Sequence, residues 1–337
     1  MANVAVTGKK VACKDMREYM DLLESKGLLH RIRKEVNLKY EIGAIAARSL
    51  ERGGPALLFE NVKGYPGLPL VTNLISTTKQ LALAFGTEPD EEKLHDAVVD
   101  GINNRIHSVE VSSEQAPCQE IIIEGDAVDI SIIPTPWWHE FDGGQYLGTT
   151  AGCVTRDPVT GILNMGSYRV MIKDMNTLTM SGGMRRGRAA STGLGGGDHI
   201  TENEKNGKPT PIAIVMGMDP LLTLASGSPV RPGAGGLDGS MEYETAGGWR
   251  GAPTELVKCK TSDLLVPAWA ELVVEGEVLP NVRTPEGPHG ESTGFYGENH
   301  DAFVIKIKTI THRKNPVTYG LICLRVEDYP RQLLRSG

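Results

Sequence analysis

Apolar positions along the chain follow two different periods, and the change from one to the other divides the sequence. In "DMREYMDLLESKGLLHRI", Met16, Tyr19, Met20, Leu22 and Leu23 fall on one helical stripe. Asp15 stands in front of it as an N-cap, and Gly27 is placed to stop it. "LLHRIRKEV" then alternates with period two, as a strand with one buried face does. "YEIGAIAARSLERGG" returns to helical spacing and ends on paired glycines. "PALLFENV" and "LPLVTNLI" are apolar runs of strand length. "TTKQLALAFG" is a third helix, and "PDEEKLHDAVVDGI" an exposed acidic fourth. The alternation predicts a small α/β domain over residues 1–117.

From residue 118 the character changes. "QEIIIEGDAVDISIIPTPWW", "TTAGCVTRDPVTGILNMGSYRVMIKD", "TPIAIVMGMD", "ELVKCKTSDLLVPAWAELVVEGEVLP" and "AFVIKIKTITHRKNPVTYGLICLRV" are β-rich runs, punctuated by Gly, Pro and Asn-Pro turns. They predict a β domain over residues 118–325. A glycine- and arginine-rich stretch, "SGGMRRGRAASTGLGGGDHI", interrupts it, and a helix, "HITENEKNG", follows. The overall class is α+β. No internal repeat or low-complexity segment is present.

Composition narrows the function classes. The chain has 337 residues, enough for two cores. A net charge of −7 argues against sequence-independent nucleic-acid binding, which needs a basic surface. No apolar run is long enough to span a bilayer, and the first residues lack a signal-peptide core. Cys13, Cys118, Cys153, Cys259 and Cys323 are scattered, without CxxC spacing, and read as reduced thiols of a cytoplasmic protein. The 40 glycines imply many tight turns, or backbone held close to a ligand.

Three segments carry candidate chemistry. "RTPEGPHGESTGFYG" holds Glu286 and Glu291 with His289 between them, among too many glycines and prolines for a helix. A rigid loop presenting two carboxyls suits general acid–base work, in which one stays ionised and one donates. A solvated acidic turn is the plainer reading of the pair alone. "NMGSYR" follows a turn-like "DPVTG" and reads as one strand, with Asn164 and Arg169 on opposite faces. Arg169 is suited to gripping a carboxylate through two parallel hydrogen bonds. A surface ion pair, worth roughly 0–1 kcal/mol, is its plainer reading. "MEYETAGGW" contributes Glu242 and Glu244. An Asn and a Glu are hard oxygen donors of the kind manganese or magnesium takes beside a phosphate. "GLGGGDH" lacks both the Walker ending and a dinucleotide-binding context. His139 and His199, far apart in sequence, read as structural or surface histidines, and Trp137 and Trp138 as packing residues.

Together these segments resemble one family, the UbiD-type decarboxylases that use prenylated FMN. The resemblance runs from about Asp15 to Leu324 and rests on the order and spacing of "DMREYMDLLESKGLLHRI", "GGPALLFENVKG", "DGGQYLGTTAGCVTRDP", "NMGSYR", "PIAIVMGMDP", "EYETAGGWRGAPTELVKC" and "TPEGPHGESTGFYG". It implies that the second domain is a flavin-binding split β-barrel. It implies a catalytic network of Arg169, Glu286 and Glu291, with Glu291 the proton donor. It implies that Asn164 and Glu242 bind Mn2+ or Mg2+ bridging to the cofactor phosphate, and that Ala225, Ser226 and Ser228 mark a K+ site. Ser167, Tyr168, Arg169 and Arg185 stand with Asn164 and Glu242 on the cofactor side.

The chain departs from the family pattern twice. Family members carry a metal-binding His shortly after the Arg motif. Here no His occurs between His139 and His199, and the matching region reads "GGMRRGRAAS". The family chain also continues into a C-terminal domain that closes the site and mediates dimerisation. Residues 326–337 then read as a linker or the start of that domain. The expectation is a truncated chain, or a short subunit that borrows the domain: inactive alone, and a homo-oligomer only with it. A UbiX-type flavin prenyltransferase is the implied cofactor supplier.

The implied reaction is reversible, non-oxidative decarboxylation of an aromatic or α,β-unsaturated carboxylic acid through a covalent cofactor adduct. Side chains are poor electron sinks, so a cofactor must carry CO2 loss from an sp2 carbon. An Arg lowers a neighbouring carboxyl's pKa, commonly by about 1–3 units, so the donor is expected to be the carboxyl in drier surroundings. The family pattern gives Glu286 to Arg169 and proton donation to Glu291. The alternatives are a non-catalytic subunit of a multi-subunit UbiD-like carboxylase and an ordinary FMN oxidoreductase.

Overall fold

Helix α1 (Met16–Ser25) begins where Asp15 accepts a hydrogen bond from the Glu18 N–H, and the chain leaves it through Gly27 at a φ of 69°. It buries Met16, Tyr19, Met20 and Leu23. The computed structural model of the protein describes residues 13–181, 195–228 and 241–324. Strand β1 (Leu29–Ile32), helix α2 (Glu41–Glu51), strands β2 (Ala56–Phe59) and β3 (Leu70–Thr72), and helices α3 (Thr78–Phe85) and α4 (Glu91–Asn103) complete the N-terminal region. Thr77 and Gln80 form a reciprocal capping box on α3, and Gly86 ends that helix in the left-handed region.

A two-residue strand, β4 (Val109–Glu110), leads to the second region. There β5 (Ile121–Glu124), β6 (Tyr146–Gly148), β7 (Gly152–Arg156), β8 (Leu163–Ser167), β9 (Arg169–Asp174) and β10 (Thr177–Ser181) precede helix α5 (Gly196–Lys205). Strand β11 (Thr210–Met216), helices α6 (Pro220–Ser226) and α7 (Met241–Arg250), and strands β12 (Glu255–Lys258) and β13 (Leu265–Pro267) follow. Two long strands, β14 (Leu272–Gly290) and β15 (Tyr296–His312), then a short β16 (Thr318–Tyr319), end the described chain. The large sheet runs β6-β9-β10-β15-β14-β11-β7-β8, with β5 added to β15, and forms a nearly closed antiparallel barrel. Strand β16 pairs in parallel with β3, so it completes the N-terminal sheet in the order β1-β2-β3-β16.

The central barrel strands are buried on both faces. Cys153, Ile212, Ile214 and Val274 point into the barrel core with Leu178 and Ile305. Their sequence neighbours Val154, Ala213, Val215 and Val273 point the other way, into a core shared with Met16, Tyr19 and Leu23 of α1 and with Leu94 and Val98 of α4. Successive side chains point to opposite faces, so an unbroken apolar run fills both. An ion network joins the two regions at the same place. The buried Glu271 takes two hydrogen bonds of 2.7 Å from Arg17 and one of 3.0 Å from the Val317 N–H. Arg313 reaches both Glu271, at 3.3 Å, and Asp15, at 2.7 Å. The buried carboxylate is thereby paired and hydrogen-bonded, which such burial requires.

Two local expectations change. "NMGSYR" is not one strand: the chain breaks at Tyr168, so Asn164 lies in β8, paired with β7, and Arg169 opens β9, paired with β6 and β10. The glycine-rich stretch after Arg283 is not a free loop either. It continues β14 as far as Gly290, with register shifts at each side of Glu286. Glycine and proline disturb a ladder without ending it, and the residues they displace become bulges. Only Glu291–Phe295 forms the turn, closed by hydrogen bonds from Gly294 N–H to Glu291 O and from Glu291 N–H to Phe295 O.

Candidate active site

Arg169 opens β9 and faces the bulged end of β14. Its Nη2 donates to Glu286 Oε2 and its Nη1 to Glu291 Oε1, each at 2.6 Å. The sequence expectation gave Arg169 to Glu286 alone; the guanidinium holds both carboxylates. They differ in surroundings. The Glu286 side chain is fully buried, whereas that of Glu291 is 42% exposed, so the drier of the two is Glu286. Burial works against the Arg169 charge, but Glu286 and Glu291 outweigh it and raise the guanidinium pKa further. Beneath this group lies Tyr146, whose phenol is pushed up by burial and by Glu286. A pocket opens beside it, lined by Gly148, Thr149, Ser167, Tyr168, Arg169 and Glu291.

Asn164 and Glu242 also come together. Asn164 Nδ2 donates to Glu242 Oε1 and the Met165 N–H to Glu242 Oε2, both at 3.4 Å. Asn164 Oδ1 is buried and has no hydrogen-bond partner. An orphaned amide oxygen beside a carboxylate is a donor set that fits a hard cation. His199, buried on α5, lies on the same face. Its Nδ1 is 2.9 Å from Thr155 Oγ1, and Thr155 is the cross-strand partner of Asn164. His199 Nε2 is buried without a partner. Burial lowers the pKa of this imidazole and favours its neutral, ligating form. His199 had read as a structural or surface residue because its neighbours in space are set by the β7–β8 pairing and not by sequence.

The other site residues fall as follows. Tyr168 accepts a hydrogen bond from the Gly196 N–H at 3.0 Å, and burial pushes its phenol up to about 12. Ala225 and Ser226 end α6, and Ser228 follows, its N–H bonded to Ala225 O and its hydroxyl to Leu224 O. A helix C-terminus presents carbonyl oxygens, the donor type a K+ site takes. Glu244 is turned to His107, 2.9 Å away. Arg185 lies outside the described residues. Trp138 is a core residue, while Trp137 donates its indole N–H to Asp142 O at 3.0 Å. Among the described residues no helix is long and apolar enough to cross a membrane.

Asp142 is the residue that sequence reading missed. It is buried, its Oδ1 accepting from the Gly290 N–H at 2.8 Å and its Oδ2 from the His139 N–H at 2.9 Å. Against the effect of burial, the His139 side chain and then these two bonds hold its pKa down. It faces His289, whose pKa falls to about 4, first through burial. A depressed histidine has a definite consequence for stability. Between pH 6.5 and about 4 the unfolded chain binds a proton at His289 that the folded chain does not. Stability is therefore expected to fall as pH drops through that window. Thermal melts of the parent and of His289→Phe against pH test this: the variant should lose part of the slope.

These features define a class: a split-barrel protein with an arginine held between two carboxylates on a pocket wall and an Asn–Glu pair elsewhere in the barrel domain. The chain belongs to the UbiD family. The family described as 3-octaprenyl-4-hydroxybenzoate carboxy-lyase Rift-related domain matches residues 109–326, and the corresponding N-terminal domain matches residues 20–97. An uncharacterised protein of Synechocystis sp. is 33% identical over 324 residues. That match takes in 90% of this chain, which spans 62% of the relative's length. An evolved dimeric form of the UbiD-class enzyme HmfF from Pelotomaculum thermopropionicum, solved in complex with prFMN, superposes with a TM-score of 0.85 at 33% identity. The superposition covers 96% of this chain and 71% of that one. The vanillic acid decarboxylase of Sedimentibacter hydroxybenzoicus, in its closed form, gives a TM-score of 0.85 at 32% identity, over 96% of this chain and 67% of that one.

Proposed function

We propose that the protein is a carboxy-lyase acting on an aromatic or α,β-unsaturated carboxylic acid with the help of prenylated FMN, in a reversible, non-oxidative reaction. The observation that carries this is Arg169 gripped at 2.6 Å by both Glu286 and Glu291 on the pocket wall. When bound, the cofactor supplies covalent catalysis and the electron sink for CO2 loss. Arg169 and Glu286 form a fixed ion pair that orients the acid. Glu291, at the turn that ends the same motif and reached by solvent, carries the proton to and from the carbon that loses CO2. Ser167 and Tyr168 line the cofactor side. The test is decarboxylation and carbon hydrogen–deuterium exchange by the full-length protein, loaded with prenylated FMN from a UbiX-type prenyltransferase or with plain FMN. Activity with the prenylated form alone is expected; equal turnover with plain FMN would sink the proposal.

Asn164 and Glu242 would hold the divalent cation, with His199 as a third, nitrogen donor in the role of the earlier His of the family pattern. Ala225, Ser226 and Ser228 would hold K+ through backbone carbonyls. Glu242→Ala and His199→Ala are expected to weaken manganese binding by no less than the about 10–100-fold typical of disturbing a metal site, with flavin retention falling in step. Elemental analysis and flavin absorbance of the purified variants measure both. Unchanged manganese in His199→Ala would remove the histidine from the site.

Among the described residues the pocket beside Arg169 is open on one side, where flavin and substrate would meet water. Charges in an open site act in a high dielectric and position poorly. Turnover is therefore expected only once further polypeptide covers that side.

A further inference from the structure

The proposed proton and charge relay leaves several polar groups of the pocket unused, His289 among them. His289 lies between the two glutamates in sequence but faces another partner. It is 3% exposed, and its ring is tilted against Tyr146, centroid to centroid at 4.1 Å, and edge-on to His139 at 6.2 Å. These contacts fix the ring plane. Nδ1 lies 3.7 Å from Asp142 Oδ1 and has no hydrogen-bond partner. The carboxylate cannot turn away, because the Gly290 and His139 N–H groups hold it from both oxygens. A carboxylate facing Nδ1 favours the tautomer with hydrogen on that nitrogen, which leaves Nε2 as a bare lone pair. His289 also lines the pocket, together with Thr149, Arg169, Glu291 and Ser292. Burial above all, with help from Arg169 and His139, keeps the imidazole neutral at ordinary pH despite Asp142.

We propose that His289 selects the substrate: its Nε2 is a fixed hydrogen-bond acceptor in the pocket wall, and it favours acids that carry a hydroxyl or ring N–H over the same acids without one. The inference rests on the carboxy-lyase reading and deepens it. A donor on the substrate gives that acceptor a hydrogen bond that an acid without one cannot give. An ether at the same place meets a lone pair, and a second carboxylate meets both that lone pair and the Glu291 charge. Asp142 is the positioning residue behind the selection.

The test is calorimetric binding of benzoate, the three hydroxybenzoates and their methoxy counterparts to the full-length protein loaded with prenylated FMN. At least one hydroxy acid is expected to bind about tenfold tighter than both benzoate and its methoxy counterpart, the scale of one well-placed buried hydrogen bond. His289→Phe keeps the ring against Tyr146 and should erase the preference while leaving flavin content unchanged. His289→Gln, which retains an acceptor, should restore part of it. A preference that survives in His289→Phe overturns the proposal, as does the absence of any preference in a protein that binds benzoate. Loss of flavin from His289→Phe with the preference intact would give the nitrogen to the cofactor instead and overturn it equally. Failure of the loaded protein to bind any acid or exchange any proton would bring down the carboxy-lyase reading, and this selection with it.

Discussion

Glu291→Gln, in the full-length protein loaded with prenylated FMN, is expected to lower turnover by about 10²–10⁴-fold, the usual contribution of a general acid–base group. Gln keeps the size of the side chain and an oxygen for Arg169, but has no carboxyl proton to give. Substrate binding and flavin content should change little. Geometry supports choosing this carboxyl although it is not the drier one. Glu291 stands at the first turn position beyond β14 and is 42% exposed, so it is free to leave Arg169 and reach a carbon in the pocket. Glu286 is walled in at 0% exposure and stays with the guanidinium. Hydrogen–deuterium exchange at the carbon that formerly bore the carboxyl isolates the proton step from CO2 release. Exchange as fast in the variant as in the parent would mean that another group is the donor.

Arg169→Met is expected to be the most damaging change to the fold of the site. It leaves Glu286 buried without a countercharge, and removing one member of a buried pair costs about 3–5 kcal/mol. Glu291 adds little to that figure because solvent already screens it. Urea unfolding reads the loss. The double variant Arg169→Met, Glu286→Gln should recover a large part of the stability and none of the activity. If the single variant unfolds at the parent's midpoint, the pair is not the buried anchor described above.

Much of the N-terminal region was legible in sequence because its signals are local. Asp15 caps α1, and Thr77 and Gln80 box α3; in the second region the hairpin turn at Asp157–Gly161 is equally local and closes with two backbone bonds of 2.9 Å, as "DPVTG" suggested. Helix α7 was not read, because "MEYETAGGW" carries two glycines in its last turns that local propensity counts against a helix; there Gly248 lies against the Gly101 carbonyl, where a larger residue has no room. The candidate site was legible in part. Arg169, Glu286, Glu291, Asn164 and Glu242 announce themselves as residue types in a recognisable order, and the structure brings the first three together and the last two together. Asp142 gave no such signal. Its partner Gly290 is 148 residues away, and only strand pairing brings them into contact. The break at Tyr168 was hidden for a similar reason: both halves of "NMGSYR" are strand-like, and only their different pairing partners separate them.

Strand β16 carries a consequence for how the protein is made. The N-terminal sheet receives its fourth strand when Thr318 and Tyr319 pair with Leu70 and Val71, nearly two hundred and fifty residues later in the chain. On the ribosome, the first sheet therefore waits with an open edge at β3 while the whole barrel is synthesised. Contacts of such long range form slowly, since the loop between them must first be closed. An unpaired edge is also a template for a neighbouring chain. Nascent protein should be most prone to aggregation, and most dependent on chaperones, in the interval between emergence of residue 72 and emergence of residue 319.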